Sequence, residues 1–202
     1  MSIEGTRYRQ LGRRRPGAVH AAQFGRARLA LGLLLLSGSA SAQTAPLVLP
    51  VAEASVEVDG AVGATEYAVT AEVGKMKLRM SRDADTVYAA FSGETTGWVA
   101  VGFGSYRMDG SLMFIGFVGK DGKSQLKIQK GSGRSHGDVE SDAMIQFAMK
   151  EDGGVTTLEL ALKATSLIRS GTTDLPVIVA MGGSDSFTSP HRARSPLQVK
   201  LQ

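Results

Sequence analysis

The sequence contains no cysteine. That excludes disulfides, thiolate metal sites, a lipoprotein attachment cysteine and the Cys-x-x-Cys-His run that covalent haem attachment requires. Aromatic residues make up only 6%, with Trp98 the single tryptophan, and there are three histidines in 202 residues. No Gly-x-Ser-x-Gly elbow, phosphate-binding loop or His-Glu-x-x-His motif is present. His136 and His191 are the only histidines beyond the first 42 residues. Ser135 and Asp138 flank His136, but sequence neighbours in a Gly-containing loop rarely form a triad. Two histidines without a carboxylate cluster are also a thin basis for a zinc or copper centre.

A sustained excess of positive charge is missing too. The formal net charge is +4, but seven of the 23 basic residues and one of the 19 acidic residues precede Gln43. The remaining 16 basic and 18 acidic residues leave a balance of −2. The basic character belongs to the leader, and a nucleic-acid partner loses its electrostatic support.

That leader has three parts. An Arg-rich stretch ends at Arg28, an apolar run covers residues 29–36, and the small residues Ser37 to Ala42 follow. Ala40 and Ala42 give the small-x-small pattern of a cleavable secretory signal, so residues 1–42 are expected to be a signal peptide cut before Gln43. Eight strongly apolar residues fall well short of the roughly 20 that cross a bilayer, so no stable membrane span is expected after cleavage. The expected location is periplasmic or secreted.

What the rest contains reads as one small domain rich in strand. Hydrophobic residues make up 43% and charged residues 21%, an ordinary globular balance, and 25 glycines fit frequent tight turns. Residues 43–54 read as a linker, because Pro46 and Pro50 hinder regular structure. Residues 55–202 read as the folded domain. Val56 and Val58 alternate with polar neighbours, as do Met76, Leu78 and Met80. Residues 98–103 and 112–118 are more continuously apolar, as central strands are. Lys120-Asp121-Gly122-Lys123 is a hairpin signal. Residues 131–142 read as a polar loop, 164–169 as a single helical turn, and 177–181 and 197–201 as the last strands. Short strands between glycine turns point to an all-β sandwich. Trp98 is expected to anchor the core between the sheets.

The block Thr96-Gly97-Trp98-Val99-Ala100-Val101-Gly102-Phe103-Gly104, continuing through Tyr106-Arg107-Met108-Asp109-Gly110 to Leu112–Val118, resembles the DOMON family. So does Asp59-Gly60 followed by Glu66-Tyr67, and so does the closing stretch from Ser184 through Pro190-His191-Arg192 to the last strand. DOMON domains are secreted, immunoglobulin-like antiparallel β-sandwiches that include the haem-binding cytochrome domain of cellobiose dehydrogenase. The resemblance implies non-covalent haem b with Met108 and His191 as axial ligands. It also implies a non-enzymatic electron-transfer role with a separate redox partner protein. A thioether and an imidazole are a proven axial pair for haem iron. Arg107, Arg192 and Arg194 flank the two and are candidates to pair with haem propionates. Other family members resemble modules that bind sugars or other small ligands, and that is the alternative. Tyr106 reads equally as a pocket rim and a turn residue, and His136 as a solvated loop histidine.

Overall fold

The computed structural model describes residues 45–53 and 56–202; the expected signal peptide lies outside them. Among the described residues, no helix is long and apolar enough to cross a membrane. The chain runs β1 (Leu47–Leu49), β2 (Val69–Val73), β3 (Met76–Arg82), β4 (Thr86–Gly93), β5 (Val99–Phe103), β6 (Leu112–Val118), β7 (Ser124–Ser132), β8 (Ser135–Asp138), β9 (Met144–Asp152), β10 (Val155–Lys163), the single turn α1 (Ala164–Leu167), β11 (Asp174–Gly182) and β12 (His191–Leu201).

These strands form two sheets packed as a sandwich, so the all-β sandwich expected from the sequence is the fold. One sheet has the order β1-β12-β11-β5-β6-β7-β8 and the other β2-β3-β4-β10-β9. All pairs are antiparallel except β1 with β12. Alternation along each strand supplies the core. Met76, Leu78 and Met80 of β3 meet Val99, Val101 and Phe103 of β5 and Leu175, Val177 and Val179 of β11 in one buried cluster. Phe103 and Phe114 pack edge to face at 6.2 Å. Each fully buried side chain of this kind contributes about 1.5–3 kcal/mol by leaving water.

Four expectations from sequence need correction. The stretch read as a linker carries β1, whose Leu49 is fully buried and whose residues pair in parallel with Val199–Leu201 of β12. Pro46 and Pro50 flank this strand rather than preventing it. The polar loop at 131–142 contains β8, a short hairpin partner of β7. Val56 to Val58 is not a strand; that stretch lies against the five-stranded sheet, where Gln146 Nε2 of β9 donates to the Val58 carbonyl. Finally, β12 begins at His191, six residues before the 197–201 expected for the last strand.

Candidate functional site

The outward face of an exposed sheet in a two-layer sandwich is ordinarily polar. On β5 and β6 it is not. Val99, Val101 and Phe103 point into the core, so Trp98 and Ala100 point out, and Met113, Ile115 and Phe117 join them from β6. These five form a second apolar cluster, 5–7% exposed, distinct from the sandwich core. Trp98 therefore anchors this outer cluster and not the space between the sheets. Met108, Ala180 and Phe187 are partly buried against it.

Two loops cover the cluster from opposite ends. The β11–β12 loop crosses it: Phe187 packs on Phe117 with ring centroids 4.8 Å apart, and Lys127 Nζ stands 5.4 Å from the Phe187 centroid. Trp98 Nε1 donates to Ser189 Oγ at 2.9 Å. Gly182 is required here, because a Cβ would run into the Trp98 indole. The β5–β6 loop is tied down by Ser111, whose buried hydroxyl donates to the Arg107 carbonyl at 2.6 Å. Between the loops, Ala100 pairs with Ala180 and Gly102 with Ile178, which leaves a floor of mostly small side chains across β5 and β11. Arg194 lies opposite Ala180 on β12 and shares this face. Tyr106 is 40% exposed at one end; partial burial first, and then the Asp174 carboxylate, hold its phenol above the ordinary range. Asp185 Oδ1, in the covering loop, is buried without a hydrogen-bond partner.

The polar edge of the same face is a chain of side chains on β7 and β8. Lys127 Nζ donates to Asp138 Oδ2, Gln129 Nε2 donates to Asp138 Oδ1, and Gln129 Oε1 meets His136 Nδ1, each at 2.6 Å. The Gln129 and Lys127 donors hold the Asp138 carboxyl below the usual carboxylate range.

The expected site residues do not converge. Met108 packs its carbonyl directly on the Cα of Gly131, near the end of β7 and level with Ser111. His191 pairs with Gly182, across from Trp98, at the opposite end of β5. A bulge at Arg192 puts His191 on the outer face with Arg194, but four strands away from Gly131. With strands roughly 4.8 Å apart and a rise of roughly 3.3 Å per residue, the Met108 and His191 backbones are on the order of 20 Å apart or more, even allowing for sheet twist. Two side chains a few bonds long do not close that gap through one iron atom. The donor types suit haem; the placement of this pair does not. Arg107 is exposed on the Met108 loop, and the Arg192 side chain lies along Gly183, so the three arginines do not gather either.

Concavities are found on the other sheet. Two adjoining shallow ones, of about 330 and 340 Å³, share Arg79, Ser92 and Val155 over its outer face. The sequence reading passed over Gln129 and the orphaned Asp185 oxygen. Gln129 sits in a strand of alternating polarity, where nothing local marks it as buried, and Asp185 is buried only by tertiary packing.

No family model matches the chain, and no curated protein matches it. Solved structures similar to it include the cytochrome b domain of pyranose dehydrogenase from Coprinopsis cinerea, at 10% identity and a TM-score of 0.48 over 62% of this chain and 76% of that one. A family 9 carbohydrate-binding module from Caldicellulosiruptor kristjanssonii in complex with cellotriose is similar at 11% identity and a TM-score of 0.47, over 78% and 93% of the two chains. The cytochrome domain of Myriococcum thermophilum cellobiose dehydrogenase is similar at 10% identity and a TM-score of 0.47, over 66% and 81%.

Proposed function

We propose that the chain is an exported, non-catalytic binding module that holds a small ligand against the outer face of its seven-stranded sheet. One observation carries the reading: a tryptophan, two phenylalanines and two methionines gather outside the core, on a sheet face where physics favours polar side chains. The floor of Ala100, Gly102 and Ala180, with Arg194 beside it, favours a flat apolar ring system carrying acidic groups. Haem b belongs to that class, but a haem with Met108 and His191 as paired axial ligands is not part of this proposal. Export rests on the leader pattern of residues 29–42.

A second reading, a saccharide, has its own observation. The buried, partnerless Asp185 Oδ1 is an acceptor that a sugar hydroxyl would satisfy.

Trp98 reports on both, because it is the only tryptophan and lies in the cluster. Its emission is followed while iron-free protoporphyrin or a cello-oligosaccharide is added. Saturable quenching by the porphyrin, weakened in Arg194→Ala, supports the ring reading. A saturable response to the oligosaccharide, lost in Asp185→Ala, replaces it with the saccharide. No saturable response to either overturns the binding-module proposal.

A further inference from the structure

The β5–β6 loop is fastened to the β7–β8 hairpin. Gly110 N donates to the Gly131 carbonyl at 3.1 Å, Gly131 N to the Ser111 carbonyl at 3.0 Å, Gly133 N to Asp109 Oδ1 at 2.8 Å and Lys130 Nζ to the Gly110 carbonyl at 2.7 Å. This stapling sets Met108 on Gly131, and the register partner of Gly131 on β8 is His136. Cross-strand partners share a face and lie about 5 Å apart. The Met108 backbone therefore lies over the row that carries His136, with its side chain against the outer apolar cluster, whereas His191 stands at the opposite end of the face. The row beside them repeats the relation. Met113 of the outer cluster pairs with Gln129, and Gln129 holds His136.

The hydrogen bonds also fix which imidazole nitrogen is free. An ionised Asp138 carboxylate only accepts, so the Gln129 amide turns its NH2 toward Asp138 and its oxygen toward His136. The Nδ1 atom of His136 must then carry a proton and donate. In the neutral ring, Nε2 keeps its lone pair and is aimed by the bond on the other side. This is how a metal-binding histidine is ordinarily oriented by its surroundings. The four staples leave no slot for a macrocycle between loop and hairpin, but a single ion needs none.

We propose that Met108 and His136 form a two-donor nitrogen–sulfur site for a soft metal ion, Cu(I). Thioether sulfur selects Cu(I) among the common biological metals, imidazole suits copper, and cysteine is absent from the chain. The site uses the rim of the outer face and does not depend on a ring or sugar ligand binding to its floor.

The test is an anaerobic titration of the full chain with Cu(I) against a chromophoric Cu(I) chelator, with X-ray absorption at the copper edge. The expected result is one Cu(I) per chain with both sulfur and nitrogen neighbours. Met108→Leu and His136→Gln should each weaken binding by at least about tenfold, and His191→Ala should leave it unchanged. Met108→Leu keeps the apolar volume, so loss of copper in a variant with the wild-type unfolding midpoint reports the sulfur itself. The inference is overturned if wild-type protein takes up no stoichiometric Cu(I). It is equally overturned if uptake survives both donor variants, or if His191→Ala abolishes it while His136→Gln does not.

Discussion

Tyr67 donates its phenolic O–H to Glu159 Oε1 at 2.7 Å, and Glu159 has no exposed surface. The other carboxylate oxygen accepts from Gly60 N at 2.6 Å and from Asp59 N at 3.2 Å. Glu159 sits mid-strand on β10, so this contact pins the whole stretch from Asp59 to Tyr67 across the outer face of the five-stranded sheet. Burial, then the Glu159 carboxylate, push the Tyr67 phenol far above its ordinary range. Tyr67→Phe is expected to cost about 2 kcal/mol, as the loss of a hydrogen bond to a charged group does. Glu159→Ala strands three donors and is expected to cost about 3 kcal/mol or more. Urea unfolding of the two variants checks both the values and their order.

Gly182 is held without a side chain by the Trp98 indole above it. Gly182→Ala is expected to displace the ring, lose the Trp98–Ser189 hydrogen bond and cost about 1–3 kcal/mol as an overpacked site. The measurement is tryptophan emission, which should move to the red as the indole gains water. Unchanged emission would mean that the ring does not lie on Gly182.

Leu49 is fully buried in β1, although two prolines bracket that short strand. Leu49→Ala is expected to cost about 2–5 kcal/mol, as for other buried leucines. A cost near zero in chemical unfolding would return residues 47–49 to the role of a linker.

Three exposed aspartates have lowered proton affinity when folded. Asp138 is held low by Gln129 and Lys127, Asp142 by Lys163, and Asp174 by Lys200 and then Gln198. A carboxyl whose folded pKa lies below its unfolded value stabilises the fold above the unfolded pKa, about 4 for Asp. That stabilisation is lost as pH falls through the folded pKa. The unfolding temperature should therefore drop on acidification below about pH 4, and the drop should shrink in Asp138→Asn. Since these groups are exposed, added salt should weaken the effect.

Much of the sandwich was legible because the strands carry their own pattern. The alternation Met76-Leu78-Met80 and the apolar runs of β5 and β6 mark strands without knowledge of the neighbours, and Asp121-Gly122 marks the turn between β6 and β7. Three residues between prolines are too short a sample for β1, and an all-polar strand such as β8 has no hydrophobic period to read. The sites were less legible for a different reason. A glutamate on β10 with apolar neighbours reads as solvent-facing, and only the packing of residues 59–67 buries it. The motif position of His191 says nothing about the bulge at Arg192 or the three strands between it and Gly131. His136 is exposed, as the sequence suggests, but its orientation by Gln129 and Asp138 follows only from hairpin register.

The central claim is that the outer face of the seven-stranded sheet binds a ligand. Backbone amide shifts recorded during titration with protoporphyrin and with a cello-oligosaccharide test it most directly. For whichever ligand binds, saturating shifts are expected at Trp98, Ala100, Met113, Ala180 and Phe187, with the opposite sheet unmoved. Shifts concentrated instead at Arg79, Ser92 and Thr157, over the five-stranded sheet, would contradict it and move the binding face to the other side of the molecule.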